Sequence, residues 1–248
     1  MNEIQQEIID KVVKALDRHV HTFLVKNGTK IKTKPFGALY TDVAKALGLD
    51  MSETAEHNST MMPVYPMRLD DFTRNRLATA DNHLVVDVNY MYPTIFRHMF
   101  INKLLETNRP NFDKMYIWLL DNIQILKVQE NAGAYYVARY ILNSLYGVIA
   151  AASYIIGTDM PLRVNSKQTS AMKQCMEDIS SLVLYKPYTI AVDIDIMWLK
   201  DTAEAHIMLK ELQDKYGFTI ASKVVADKNV DFRPSKSTNR AYEKFIKG

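Results

Sequence analysis

The chain has 248 residues, 48% apolar and 24% charged, with a formal net charge of +3. This is the composition of an ordinary globular protein, one large domain or two small ones, and the mild charge is by itself weak support for a nucleic-acid partner. No apolar run reaches the ~18 residues of a membrane span, and the single cysteine, Cys175, excludes an internal disulfide and a cysteine-based zinc site and fits a reducing, cytoplasmic compartment.

Residues 3–20 place Ile4, Ile8, Ile9, Val12, Val13, Leu16 and Val20 at helical spacing, which predicts an amphipathic helix. The polar start at Glu3, Gln5, Gln6 and Glu7 is unlike a signal peptide. Asn27-Gly28, between TFLVK and TKIKT, predicts a hairpin. Thr41 is placed to cap a short helix that runs through Leu47 and stops at Gly48. Residues 50–66, with Pro63 and Pro66, predict an extended linker. Residues 84–88 predict a buried strand and 98–106 a helix, with a break at Arg109-Pro110-Asn111. Two long helices follow, 113–127 and 129–146, as an antiparallel pair. Residues 163–184 predict another helix, 188–198 a second strand, 201–216 a helix ended by Gly217, and 218–226 a further strand. The tail, 227–248, is polar and basic, as is 26–34. The order predicts an α+β fold: a sheet with helices on one face.

Three segments carry polar residues where an apolar element would not want them. The strand-like run LVVDVNY holds Asp87, and AVDIDIM holds Asp193 and Asp195, which share a face if the run is one strand. Carboxylates about 4 Å apart repel by roughly 4 kcal/mol at an effective dielectric near 20. A divalent cation removes that cost, and hard oxygen ligands favour Mg²⁺ over zinc or copper. The alternative is that these aspartates cap strands or pair with lysines. On the 129–146 helix, Tyr136, Arg139, Asn143 and Tyr146 fall on one face. Arg139 can hold a phosphate bidentately, and Gly147 allows close approach of a backbone or base pair; a solvated arginine and a glycine helix cap are the alternative. Tyr92-Pro93 ends the first strand, where a tyrosine could lie under a sugar or simply pack at the strand end. Arg240 and Tyr242, in a basic stretch, suit a nucleic-acid backbone; a solvated tail is the plainer reading.

Taken in order, these segments resemble the motifs of family B DNA polymerases, the group that includes many phage replicases. The first family motif, D-x-x-S-L-Y-P-S, is met here by DVNYMYPT (Asp87 to Thr94). The second, K-x-x-x-N-S-x-Y-G, is met by RYILNSLYG (Arg139 to Gly147), and the third, D-T-D-S, by DIDI (Asp193 to Ile196). A weaker fourth, K-x-Y, is met by Arg240-Ala241-Tyr242. The resemblance covers residues 84–245. It implies a polymerase palm at 81–97 and 148–248, an antiparallel sheet with helices on one face, and a helical-hairpin fingers insertion at 98–147. Residues 1–80 would be a docking surface.

By the same resemblance, Asp87 and Asp195 would hold two Mg²⁺ ions, with Mn²⁺ as a substitute, and Asp193 would stand beside them. Arg139 would hold the dNTP triphosphate. Asn143, Tyr146 and Gly147 would line the nascent base pair, and Tyr92 would exclude a 2′-hydroxyl. Arg240 and Tyr242 would grip the primer of a primer–template DNA. The chain departs from the pattern at Arg139 (lysine in the family), Ile194 (threonine), Ile196 (serine) and Tyr90 (serine). Arginine does not readily give up a proton, which bears on any acid role at that position. Neither an exonuclease before residue 80 nor a thumb after 248 has room, so the resemblance implies a split polymerase completed by other chains, or a reduced one. The isoleucines of the third motif favour an alternative, a catalytically decayed nucleic-acid-binding scaffold. A regulator is a further alternative, since Ala44 and Gly48 have helix-turn-helix spacing. Thr54 stands where that motif wants an apolar residue, and no basic recognition helix follows.

Overall fold

The computed structural model describes residues 2–20, 36–50, 83–105, 111–128, 132–150, 166–183, 186–193 and 196–225. They form α1 (Glu3–Asp17), α2 (Phe36–Ala46), β1 (His83–Asn89), α3 (Met91–Ile101), α4 (Phe112–Val128), α5 (Ala132–Ala150), α6 (Ser166–Val183), β2 (Thr189–Asp193), β3 (Ile196–Lys200), α7 (Ala203–Tyr216) and β4 (Thr219–Val225). The architecture is α+β, with a four-stranded antiparallel sheet and seven helices among the described residues. None of these helices is long and apolar enough to cross a membrane. The chain divides into two compact units, residues 1–64 with 99–169, and residues 65–98 with 170–248.

The first unit is helical. Asn2 opens α1 with a reciprocal cap: its side chain accepts the Gln5 N–H at 2.8 Å, and the Gln5 side chain accepts the Asn2 N–H at 3.2 Å. The inward stripe is Ile9, Val12, Ala15 and Leu16, whereas Ile4 is 69% exposed. His19, buried just beyond α1, meets the Asp42 carboxylate of α2 at 2.9 Å. Helix α2 starts at Phe36, so Thr41 lies inside it rather than capping it; Leu39, Tyr40, Val43 and Ala44 are its buried face. Its end does fall at Gly48, whose φ of +70° is left-handed backbone that suits glycine. Helices α4 and α5 pair as expected: the Tyr116 hydroxyl donates to the Leu142 carbonyl at 2.8 Å, both residues being buried. Tyr40, Phe100, Phe112 and Tyr116 pack edge-on or tilted, with ring centroids 5.6–6.3 Å apart. Helix α5 continues to Ala150, so Gly147 is inside the helix and does not cap it.

The second unit holds the sheet, in the order β2-β3-β1-β4. Along β1 burial alternates: Leu84, Val86 and Val88 are buried, Val85 and Asn89 half-buried, and Asp87 exposed. Met197 and Leu199 of β3 and Val192 of β2 extend the buried face. An antiparallel sheet with one packed and one open face is the ordinary outcome of this period-2 pattern. Thr202 caps α7 by accepting the Ala205 N–H, and Gly217 ends it at φ +74°. The Thr189 hydroxyl donates to the Val183 carbonyl, tying the end of α6 to β2.

Two expectations are corrected here. Residues 188–198 are not one strand. Asp193 pairs in register with Ile196, so the chain reverses between them and the segment is a hairpin of β2 and β3. Alternation along one strand therefore does not put Asp193 and Asp195 on a common face. The helix expected at 98–106 instead begins at Met91. Pro93 falls in its first turn, where its missing N–H is not needed. The strand-to-helix turn is made at Tyr90, with φ +52°, and its carbonyl accepts the Thr94 N–H at 2.9 Å.

Candidate functional site

The register of the sheet decides which polar residues meet. Ile196 of β3 pairs with Asp87 of β1 on one side and with Asp193 of β2 on the other. Directly opposed positions of antiparallel strands share a face. Positions 87 and 193 thus stand at one level of the sheet, flanking Ile196, on the face opposite Val86 and Val88. Two strand spacings, about 10 Å, separate their backbones. The row continues to Ala221 of β4. Asp195 immediately precedes Ile196 and, like the Asp193 side chain, lies outside the described residues. Among the described residues, no group of three or more histidine, cysteine or acidic side chains is placed to hold a metal.

Asp87 is exposed on the open face. Nothing in the core requires a carboxylate there, and the neighbouring valines on the same strand do the packing. Tyr92, on the first turn of α3, is half-buried.

On α5, Tyr136, Arg139 and Asn143 are all exposed, Tyr136 at 51%, while Ala134, Val137, Ala138, Ile141, Leu142 and Leu145 are buried. The helix thus presents Arg139 and Asn143 on its solvent side. Tyr135 and Tyr136 stack tilted at 5.5 Å. Tyr146 and Gly147 lie on the last turns of α5, and their side-chain surroundings are outside the described residues, as are Arg240 and Tyr242. Asp87 belongs to the second unit, and Arg139 and Asn143 to the first.

No family model matches this chain, and no curated protein does. It is weakly similar to a solved structure. That structure is a family B DNA polymerase from the hyperthermophilic archaeon Pyrobaculum calidifontis, with a TM-score of 0.37 and 11% identity. The match covers 75% of this chain and 28% of that chain, so the protein spans well under a third of that polymerase's length.

A second group of ionisable side chains in the sheet-bearing unit was not anticipated from sequence. Lys215 of α7 meets Asp178 of α6 at 3.0 Å and lies 5.4 Å from the Tyr216 ring centroid. Tyr216 packs on His98 of α3 at 5.1 Å. Hydrogen bonds from Lys215 and Gln174 hold the Asp178 carboxyl below its usual range, and the bond to Asp178 holds Lys215 above its own. Burial raises the Tyr216 phenol to about 12 and, helped by Asp178, raises the Cys175 thiol. Burial and then Lys215 lower His98. A raised thiol is poorly nucleophilic. The group has the character of a packing seam between α3, α6 and α7. The contacts between its helices, Lys215 with Asp178 and Tyr216 with His98, join residues too far apart in sequence for helix periodicity to pair them.

Proposed function

We propose that this chain is the palm-and-fingers portion of a template-directed DNA polymerase, transferring nucleotides from dNTPs to a primer 3′-hydroxyl with other chains supplying the exonuclease and thumb. One observation carries the reading: β1 and the β2–β3 hairpin, far apart in sequence, bring positions 87 and 193 to one level of an open sheet face, with Asp195 next in chain to the residue between them. That is where a palm would need its acids.

The residues suit a hard cation. Asp87 is exposed and, among the described residues, has no hydrogen-bond or ion-pair partner, so its oxygens are available. Asp87 and Asp195 would hold the ions, Mg²⁺ or Mn²⁺, with Asp193 alongside. Such a pair would lower the pKa of the primer hydroxyl and offset the charge of the departing pyrophosphate. Arg139, extended into solvent, would bind the triphosphate through its guanidinium fork and stabilise charge that develops on it. Asn143, Tyr146 and Gly147 would line the base pair, Tyr92 would lie beneath the deoxyribose, and Arg240 and Tyr242 would hold the primer.

Ile196 favours a second reading. An apolar, half-buried side chain sits between the two aspartate positions, where the family motif has serine. A decayed scaffold that binds nucleic acid without catalysis would tolerate it. Primer extension separates the two: in Mg²⁺, Asp87→Ala and Asp195→Ala abolish incorporation while DNA binding persists. Extension by either variant overturns the metal assignment, and extension by no form of the protein, with Mg²⁺ or Mn²⁺, supports the scaffold.

A further inference from the structure

The two edges of the sheet are built differently. Strand β2, at one edge, is five residues long, shifts register between Thr189 and Ala191, and has Thr189 tied to the Val183 carbonyl. A short, irregular edge resists further pairing. Strand β4, at the other edge, runs seven residues in unbroken register with β1 and contains no proline or glycine. Every second residue of such a strand turns its N–H and C=O away from the neighbour it is bonded to. Among the described residues, no backbone hydrogen bond reaches those outward groups. Thr219, Ala221, Ser222, Lys223 and Val224 are exposed, and Ile220 is half-buried. On the packed side of the sheet, Ile220, Ser222 and Val224 stand opposite Val88, Val86 and Leu84. Those three are buried, yet Val224 is 53% exposed, so the apolar row runs on past its cover.

The strand also complements itself. Laid antiparallel on a copy of itself about Ser222, all seven residues find a mate: 219 with 225, 220 with 224, 221 with 223, and 222 with its own equivalent. Opposed residues share a face, so Ile220 meets Val224 on the packed side. The two serine hydroxyls there can bond, one donating and one accepting. Lys223, the charged residue of the strand, meets Ala221. An axis at Lys223 would set two ammonium groups against each other, and an axis at Ala221 would leave Val224 and Val225 unmatched. A strand from an unrelated chain would need none of this symmetry.

We propose that β4 pairs with β4 of a second copy, antiparallel about a two-fold axis at Ser222, joining the two sheets edge to edge. This self-association goes beyond the polymerase reading and does not depend on it. A seven-residue edge falls short of the ~1,200 Å² at which standard interfaces begin, so the dimer is a weak one, with a micromolar dissociation constant.

Sedimentation of the full chain over a dilution series tests this. The expected result is a monomer–dimer equilibrium with no larger species, because a two-fold contact closes on itself. Ser222→Glu sets two carboxylates directly opposite, about 5 Å apart, and should weaken the dimer roughly tenfold or more. Ser222→Lys should act likewise, and mixing the two variants should restore a dimer. Position 222 is exposed, and circular dichroism matching the wild type verifies that both variants fold. Directly opposed residues have Cα atoms about 4.5–5.5 Å apart, within disulfide range. Ser222→Cys should therefore cross-link on oxidation. Ala221→Cys, which faces position 223 of the copy, should not, and the wild type, whose Cys175 is 7% exposed, is the control. A chain that stays monomeric, a dimer that Ser222→Glu leaves intact, mixed variants that stay apart, equal cross-linking at 221 and 222, or growth into open polymers each overturns the proposal. No metal or nucleic acid enters the measurement, so its outcome leaves the polymerase reading untouched.

Discussion

Asp87→Asn separates a carboxylate kept for a ligand from one kept for the fold. Asp87 is exposed and lies two strand spacings from position 193. At about 10 Å, two carboxylates repel by ~0.4 kcal/mol in a water-like dielectric. Removing one charge should stabilise the metal-free protein by a few tenths of a kcal/mol, about 1 °C in Tm. The wild type should respond to Mg²⁺ in the opposite sense. At ten times the dissociation constant, binding to the folded state alone adds about 1.4 kcal/mol, or roughly 3–6 °C for a chain of this size. Thermal unfolding of both proteins, with and without Mg²⁺, measures both effects. The expected pattern is a variant slightly more stable without metal and nearly unresponsive to it. A variant that loses more than about 1 kcal/mol without Mg²⁺, or that keeps the full metal shift, would show that Asp87 serves the fold, or nothing, and would refute the metal reading.

Two further measurements bear on the scaffold. Tyr116→Phe removes a buried hydroxyl from the Leu142 carbonyl and should cost about 0.5–1.5 kcal/mol in denaturant unfolding, against about 3–5 kcal/mol for Tyr116→Ala; a Tyr116→Phe protein as stable as the wild type would mean the bond contributes nothing. Because His98 is held below its ordinary pKa of 6.5, its contribution is fully present above that value and is lost as pH falls through the lowered folded one. His98→Gln should flatten the stability profile on the acid side of pH 6.5, and an unaltered profile would place the titration elsewhere.

The elements legible in the sequence were those whose period is unambiguous. Alternation in LVVDVN located β1 and put Asp87 on the face opposite Val86 and Val88. The 3.6-residue period of α5 put Tyr136, Arg139 and Asn143 on one face, and all three are exposed while Ile141 and Leu142 are buried. What escaped was punctuation. The reversal between Asp193 and Ile196 carries no glycine or asparagine, and its β-branched isoleucines mimic an uninterrupted strand. The start of α3 was hidden by Pro93, which reads as a breaker unless the helix is known to begin two residues earlier. Thr41 offered a plausible cap, but burial of Leu39 and Tyr40 outweighs it and draws the helix back to Phe36.

Because β1 is bonded on both sides, its alignment is locked twice. A single residue inserted into or deleted from 83–89 would turn Asp87 toward the core and push Val86 and Val88 into water. Substitutions at Asp87 itself are cheap for folding, while the length of the segment that carries it is not free to vary. An evolving lineage could thus silence this position easily but could not shift it by one.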